Sequence, residues 1–258
     1  MNPSRFFPTD EVLDLTGSSQ KKVNDWLKAA SGAGYPWIAQ KLLEHGGQPN
    51  TICTGNVTPL MSAVMSGNLE VAEMLLAKCP DRLAAVNRQR DDGTTPVNLA
   101  AGAGQAGAVQ WLIERGADVN LIQTNGNAPL KRASQNGHPS PAASSASPGS
   151  SFFNPSALRR YTECCVLCLR AGAHPNHVNK QGETALHYAA KNNHFDCVKA
   201  LVEGGCDWTV ANPDGYVKGT AADWADHTGH VEISEWLRRQ PAGSGIGTTF
   251  SSSADQGA

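Results

Sequence analysis

Apolar residues in this chain recur at helical spacing in short blocks. Leu186, Ala189 and Ala190 lie three and four residues apart, so they share one stripe of a helix. A second block follows each of these after a short polar or glycine-containing turn. Its apolar residues come in pairs one helical turn apart, such as Val71/Ala72 with Leu75/Leu76 and Cys197/Val198 with Leu201/Val202. The pattern predicts pairs of short antiparallel helices, each of which buries one face.

One block recurs along the chain at nearly constant spacing. Its best copy is the run TALHYAA, which begins at Thr184. Further copies begin at Asp25, Thr58, Thr95, Ala128 and Thr220. Successive starts differ by 33, 37, 33, 56 and 36 residues, which indicates a 33-residue period with insertions of 0, 4, 0, 23 and 3 residues. A period of this length is typical of a solenoid built from stacked repeats.

A glycine-containing marker closes most of these units in the same register. Its copies lie at residues 46–50, 116–120, 172–176 and 204–207, and the second of them reads GADVN. With both markers in one register, the chain resembles the ankyrin-repeat family over about residues 20–240. The unit of that family is a β-turn followed by two antiparallel helices. The resemblance therefore implies an all-α fold, a solenoid of helix-turn-helix units joined by β-hairpin loops.

The repeats divide the chain into three parts. We expect an N-terminal lead-in at residues 1–16, the repeat domain at 17–240 and a disordered tail at 241–258. The six repeats span 17–50, 51–87, 88–120, 121–176, 177–209 and 210–240.

The fourth repeat carries an insertion at residues 139–157, between its two helices. This segment is rich in Pro, Ser, Ala and Gly and buries too little apolar surface to order itself, so we expect a flexible loop. Ser140 and Ser147 each precede a proline and are candidate phosphorylation sites. An unmodified spacer is the alternative interpretation.

Threonine, proline and glycine mark the predicted ends of the helices. Threonine or its substitute opens each first helix, and proline follows at the first helical position, where a missing N–H costs nothing. These prolines are Pro59, Pro96 and Pro129. Glycines predicted in the turn between the two helices are Gly67, Gly104, Gly137 and Gly229, and those that end second helices are Gly116, Gly172 and Gly204. Residues 80–87 are predicted to form a smaller bulge after repeat two.

Charge and cysteine usage narrow the class of protein. Lys+Arg 21 against Asp+Glu 23 gives a net charge of -2, so no global field favours nucleic acid or an anionic membrane. The sequence has no run of 18 apolar residues and no signal-peptide core at its N-terminus, which favours the cytoplasm, with the nucleus as the alternative. Its seven cysteines are odd in number and lack a framework-like spacing, so we expect reduced thiols.

Two motifs invite a chemical interpretation. Residues 102–107, GAGQAG, fit the glycine pattern of a dinucleotide site, but that site needs a preceding strand. Here the preceding residues belong to a predicted helix, so a turn between two helices is favoured.

The second motif is a cysteine and histidine cluster. Cys165, Cys168, His174 and His177 could form a compact zinc site. In the repeat register, however, the cysteines occupy buried positions of a second helix, where a thiol packs as a small hydrophobe. We therefore expect core cysteines, no metal and no cofactor, with a metalloprotein as the alternative.

The resemblance implies that hairpin tips and the exposed side of each first helix bind other proteins. Transferred position by position, the contact residues are Asp91, Asp92, Thr94, Gly102 and Ala103 in repeat three, Thr124, Asn125, Asn127, Gln135 and Asn136 in repeat four, and Lys180, Gln181, Glu183, Lys191 and Asn192 in repeat five. This set is polar, which favours a hydrogen-bonding partner surface. Solvated surface residues would give the same pattern.

The resemblance also implies a class of function. We expect a monomeric, non-enzymatic adaptor or scaffold that binds another protein. No arrangement of nucleophile and base appears beside His187, which the family uses for hydrogen bonds between repeats. The alternative is a regulatory subunit or assembly chaperone of a larger complex such as the proteasome.

Overall fold

The structure is a computed structural model that describes residues 18–135, 155–213 and 217–241, with backbone alone at 155–158. The described residues form thirteen α-helices. They are α1 (Gln20–Ala33), α2 (Pro36–Glu44), α3 (Pro59–Ser66), α4 (Leu69–Ala77), α5 (Arg82–Val86), α6 (Pro96–Gly102), α7 (Ala106–Ile113), α8 (Pro129–Gln135), α9 (Pro155–Arg170), α10 (Ala185–Lys191), α11 (Phe195–Glu203), α12 (Ala221–His227) and α13 (Val231–Arg238). Extended pairing in these ranges is limited to isolated bridges, Cys53 with Val57 and Asn212 with Gly219. The predicted all-α solenoid is confirmed.

The helices pair as the repeats require. Each repeat contributes a first and a second helix: α1/α2, α3/α4, α6/α7, α8/α9, α10/α11 and α12/α13. The first helices contact one another in sequence order, α1 on α3, α3 on α6, α6 on α8, α8 on α10 and α10 on α12. One continuous apolar core runs through all six repeats. Each repeat therefore depends on its neighbours for burial, as in other solenoids.

Threonine side chains cap the first helices as the sequence predicts. The Oγ1 atoms of Thr58, Thr95 and Thr184 accept hydrogen bonds from the backbone N–H three residues later, at 3.1, 3.3 and 3.4 Å. Such a cap satisfies one of the free amides at a helix start. Proline occupies a first-turn position of α3 and α6 and is the first residue of α8.

Glycine geometry agrees with the prediction. Gly67, between α3 and α4, has a φ of 77°, in the left-handed region that glycine adopts without strain. Gly204, predicted to end α11, directly follows the last helical residue, Glu203. The left-handed conformation is adopted one residue later, by Gly205 with a φ of 90°. Gly137 lies outside the described residues.

Three segments depart from the regular repeat. The first helix of repeat one begins at Gln20 with Ser19 as its cap, so Asp25 lies inside α1 rather than at its start. The bulge predicted at residues 80–87 contains the five-residue helix α5, capped by Asp81. In repeat four, α9 begins at Pro155, so residues 155–157 of the predicted insertion are helical. The remaining predicted loop positions, including Ser140 and Ser147, and tail residues 242–258 lie outside the described residues.

Candidate protein-binding face

Hydrogen bonds hold the hairpin tips of repeats three to five in one row. Within the hairpins, the backbone N–H of Gln123 donates to Asn127 O at 2.9 Å, and Asn179 N–H donates to Glu183 O at 3.0 Å. Between hairpins, Thr124 N–H donates to Asp92 O at 2.9 Å, and Lys180 N–H donates to Asn125 O at 3.3 Å. The backbone therefore presents consecutive tips at a fixed spacing.

The predicted contact residues fall into three groups. Exposed side chains belong to Asp91, Asp92, Thr124, Asn125, Lys180, Gln181 and Lys191. Partly buried positions are Gly102, Ala103, Gln135 and Asn192, and Asn136 lies outside the described residues. Buried side chains belong to Thr94, Asn127 and Glu183. These last three form internal hydrogen bonds, so we leave them out of the candidate face.

Several exposed tip residues also stabilise their own hairpins. Asp92 Oδ1 accepts a hydrogen bond from Thr94 N–H, and Asn125 Oδ1 accepts one from Asn127 N–H, each at 3.0 Å. Burial raises the pKa of Asp92, but hydrogen bonds from Thr94 outweigh it, so this pKa lies below its ordinary value. The tip of repeat three is therefore anionic at neutral pH. By contrast, Lys180 projects from the next charged tip as an exposed cation.

A buried polar network joins repeats four and five behind this face. The Nζ atom of Lys131 donates to Asn127 Oδ1 at 2.6 Å and to Glu183 Oε2 at 3.1 Å. The same Glu183 oxygen accepts hydrogen bonds from Asn179 Nδ2 and from the Tyr188 hydroxyl, both at 2.8 Å. The two charged residues are only 4% and 9% exposed. The network fixes the hairpin of repeat five against the first helix of repeat four.

The transferred contact set missed an aromatic and cationic row on the first helices. Arg132, Tyr188 and Trp224 each lie four residues after the start of their repeat block, so the stacking of α8, α10 and α12 places them in line. The Tyr188 and Trp224 ring centroids are 5.7 Å apart. Lys191 Nζ lies 5.3 Å from the Trp224 ring centroid, a cation–π distance. The shared register alone could have identified these residues.

His187 connects α10 to the following repeat. Its Nδ1 accepts a hydrogen bond from Thr184 N–H at 3.2 Å, so the proton lies on Nε2, which donates to Gly219 O at 3.2 Å. Burial lowers the pKa of this imidazole, although the hydrogen bond to Gly219 opposes that effect. The residue is neutral at physiological pH and links neighbouring repeats, as the sequence predicts.

The glycine motif at residues 102–107 lies in a turn between helices. Gly102 ends α6, and Gly104 has a φ of 67° between α6 and α7. A Cβ added to Gly104 would lie 3.0 Å from two ring carbons of Tyr161. Because a helix precedes the glycines and an aromatic ring covers them, this motif lacks the strand-turn-helix geometry of a dinucleotide site.

The cysteines and histidines of the proposed zinc motif do not come together. Cys165 is fully buried, with its Sγ 3.0 Å from Cys197 Sγ in the core between α9 and α11. His177 Nε2 instead contacts Gly126 O at 2.8 Å, and His174 is exposed. Among residues 18–135, 159–213 and 217–241, no group of three or more His, Cys, Asp or Glu side chains is arranged to hold a metal ion.

Burial also keeps the thiols protonated. It raises the pKa of the Cys164 thiol to about 12, with smaller contributions from Cys165 and Glu163. It raises the pKa of Cys53 to about 11, where Asp25 adds to the effect. Thiolate is the nucleophilic and metal-binding form, so these cysteines act as packing residues.

Within the described part of the chain, no helix has the length and apolar character needed to span a membrane.

Models of the ankyrin repeat match this chain in three segments. A model of three ankyrin copies matches residues 156–247, a model of many copies matches 81–133, and a single-repeat model matches 56–89. Together they cover more than half of the chain.

Curated proteins with similar sequences carry the same repeats in longer chains. Ankyrin repeat and KH domain-containing protein mask-1 of Caenorhabditis elegans is 29% identical over 93% of this chain and 9% of its own. Probable E3 ubiquitin-protein ligase XBOS33 of Oryza sativa subsp. japonica is 32% identical over 72% of this chain and 32% of its own. Ankyrin repeat protein nuc-2 of Neurospora crassa is 29% identical over 76% of this chain and 16% of its own. This chain thus spans about a third or less of the length of these relatives. From its repeat markers, its stacked helix pairs and these matches, the chain belongs to the ankyrin-repeat family.

Proposed function

We propose that this chain is a non-enzymatic adaptor or scaffold that binds a partner protein along one face. Ankyrin repeats are protein–protein interaction modules, and they fill most of the chain. The proposed face combines the exposed hairpin tips of repeats three to five with the exposed side of α8, α10 and α12. A partner would contact several repeats at once, because a solenoid offers an extended surface rather than a pocket.

The observation that carries this proposal is the fixed row of hairpin tips. The tips are joined across repeats by backbone hydrogen bonds, at 2.9 Å between repeats three and four and 3.3 Å between repeats four and five. Binding to such a row costs little backbone conformational entropy, because the backbone that carries the exposed polar side chains is already ordered. This favours recognition of an extended partner surface.

The non-enzymatic part of the proposal rests on the roles of the reactive groups. His187 is held between Thr184 and Gly219, and the described cysteines are buried in the core. Cys53 lines a cleft beside Asp25, but burial raises the pKa of its thiol to about 11, so it lacks the thiolate that nucleophilic catalysis requires. Two of the matched relatives are named as E3 ubiquitin-protein ligases, and in those longer chains the repeats form only part of the protein.

The test compares two triple variants in quantitative affinity purification from cells. The face variant carries Asp91→Lys, Thr124→Glu and Lys180→Glu. The matched control carries the same kinds of change at exposed positions in or directly after second helices, Glu203→Lys, Gln110→Glu and Lys78→Glu. All six side chains are exposed, so both variants should keep the thermal midpoint of the unchanged protein.

We expect the face variant to recover at least about tenfold less of each specific partner. A few hot-spot residues, each worth about 2 kcal/mol or more, dominate the binding energy of an interface. The control should retain its partners. Equal partner recovery by both variants, or equal loss from both, would show that the partner binds elsewhere.

A further inference from the structure

Cationic side chains are concentrated on the candidate face of repeats four to six. The hairpins and first helices of these repeats carry five described Lys or Arg side chains, at Lys131, Arg132, Lys180, Lys191 and Lys218. The first helices of repeats two and three, α3 and α6, contain no charged residue. In the hairpin of repeat three, Arg88 and Arg90 are balanced by Asp91 and Asp92. The distribution is therefore local, in a chain whose net charge is -2.

The carboxylates of the same surface are already paired. Among its described residues these are Glu183, Asp223 and Asp226. Glu183 is neutralised by Lys131, with Nζ and Oε2 3.1 Å apart. Asp223 and Asp226 both form ion pairs with Arg238 of α13.

Lys131 is the one of these five cations that is paired with a carboxylate among residues 18–135, 159–213 and 217–241. The other four have no carboxylate partner in those ranges. They are Arg132, Lys180, Lys191 and Lys218. Arg132 also has a buried Nε without a hydrogen-bond acceptor in those ranges. An unmatched row of this kind attracts negative charge even when the net charge of the whole protein is slightly negative.

Two members of the row, Lys191 and Lys180, are held by contacts with neighbouring repeats. Lys191 Nζ lies 5.3 Å from the Trp224 ring centroid, and Trp224 itself is only 3% exposed. The Trp224 Nε1–H donates to Val217 O at 2.8 Å, which fixes the ring. Lys180 is held through its backbone N–H to Asn125 O. The charges are therefore partly ordered before a partner arrives.

We infer that the partner of this face is a protein segment rich in aspartate and glutamate where it crosses repeats four to six. This inference rests on the proposed function. The inference places the acidic residues of the partner only over repeats four to six. The part of the segment that crosses repeats two and three would meet the uncharged helices α3 and α6, which include exposed Met65 and half-buried Leu99. The first helices thus change along the solenoid, from uncharged in repeats two and three to cationic in repeats four and five, while the tip of repeat three carries Asp91 and Asp92.

The test measures binding of fluorescein-labelled decapeptides to the full chain by fluorescence anisotropy at low and moderate salt. The probes are alternating Glu–Ser, Lys–Ser and Gln–Ser peptides, together with a deoxythymidine decamer. The face variant is Lys180→Glu/Lys191→Glu. Its matched control is Lys41→Glu/Lys78→Glu, with Lys41 exposed on α2 and Lys78 exposed directly after α4. Both double variants change the net charge equally. A third variant, Lys180→Arg/Lys191→Arg, keeps the charge.

We expect the Glu–Ser peptide to bind at least about tenfold more tightly than the Gln–Ser peptide, with affinity that falls as salt rises. The face variant should lose this preference, whereas the control and the Lys→Arg variant should keep it. Both double variants losing affinity equally would refute the local row. Equal binding of the Glu–Ser and Gln–Ser peptides would refute the acidic partner. It would also be refuted if the deoxythymidine decamer bound more tightly than the Glu–Ser peptide and the face variant abolished that binding.

The outcome separates this inference from the proposed function. If the acidic peptide fails while the triple face variant still loses cellular partners, the face stands and only its acidic chemistry is wrong. If the triple variant also keeps its partners, the face itself is wrong.

Discussion

The buried pair Lys131 and Glu183 gives the sharpest test of how repeats four and five are joined. Lys131→Met keeps the length of the apolar stem, and Glu183→Gln keeps the shape of the side chain. The two residues are 52 positions apart in sequence, and their side chains are 5% and 11% exposed. Removing either charge leaves the other buried, so each single variant should destabilise the protein.

The expected magnitude follows from the contacts that remain in each variant. Breaking a buried ion pair costs about 3–5 kcal/mol when one charge is left alone. Here Glu183 keeps its hydrogen bonds from Asn179 and Tyr188, and Lys131 keeps Asn127 and a Tyr188 ring at 4.1 Å. We therefore expect a cost at or just below this range, about 2–3 kcal/mol for each single variant. The double variant should also cost about 3 kcal/mol, which gives a coupling energy of about 2 kcal/mol.

Two assays measure this coupling. Urea unfolding of the four members of the cycle gives the free energies, but a solenoid can unfold in parts once an internal junction is weakened. Hydrogen exchange at the amides of Lys180 and Gly182, which bond to Asn125 O and Asn179 O, reports the junction directly. The coupling would be refuted if the destabilisation of the double variant equalled the sum of the two single destabilisations within about 0.5 kcal/mol.

The same pair predicts a dependence on pH. Burial raises the pKa of Glu183, but hydrogen bonds from Tyr188, Asn179 and Lys131 outweigh it and hold the pKa below its ordinary 4.5. Because the folded-state pKa is depressed, the carboxylate stabilises the fold above pH 4.5, and this stabilisation is lost as pH falls through the folded value. Glu183→Gln should therefore lose its difference from the unchanged protein as the pH falls below 4.5. A difference that persists at the acidic end would contradict the assignment.

Two further predictions concern packing. Gly104→Ala and Gly229→Ala both place alanine at a left-handed backbone position, at a cost of about 1–2 kcal/mol. The added Cβ at Gly104 would lie 3.0 Å from the Tyr161 ring, whereas the added Cβ at Gly229 would have no atom within 4 Å. Urea unfolding should show a further loss of about 1 kcal/mol or more for Gly104→Ala, and equal losses would refute the close contact. A thiol reagent at pH 8 should label the seven buried cysteines at least about a hundredfold more slowly in the folded than in the urea-unfolded protein, because burial lowers the access of the reagent to all of them. The raised pKa of the Cys53 and Cys164 thiols slows these two further. A fast-reacting thiol in the folded protein would contradict their packing role.

Local signals predicted the repeat architecture well, because each repeat uses short-range chemistry. Caps at Thr58, Thr95 and Thr184 need only a hydroxyl three residues before a free amide. The 33-residue period then fixes which faces meet, so the burial of Cys165 and Cys168 followed from register alone. The structure departs from the shared register in repeat one, where the first helix begins earlier than predicted, at Gln20.

The candidate face was harder to predict, because exposure depends on residues far apart in sequence. Glu183 occupies a hairpin position that the family resemblance marks as variable and exposed. Here Lys131, from the preceding repeat, draws its carboxylate into a network with Tyr188 and Asn179. Thr94 is buried for a similar reason, since Gln123 of the next hairpin donates to its Oγ1 at 2.6 Å. A single-repeat motif contains neither partner.

The insertion in repeat four shows what keeps the face continuous. It separates α8 from α9 along the chain, yet the two helices pack on each other. Repeat five also holds the end of α8, since Asn192 Nδ2 donates to Gln135 O at 2.7 Å and His194 Nδ1 lies 3.0 Å from Ser134 O. Together with the Lys131–Glu183 pair, these contacts bind α8 to the following repeat as well as to its own second helix. The alignment of Arg132 with Tyr188 therefore depends on contacts between repeats, and weakening them should impair partner binding even though no face residue has changed.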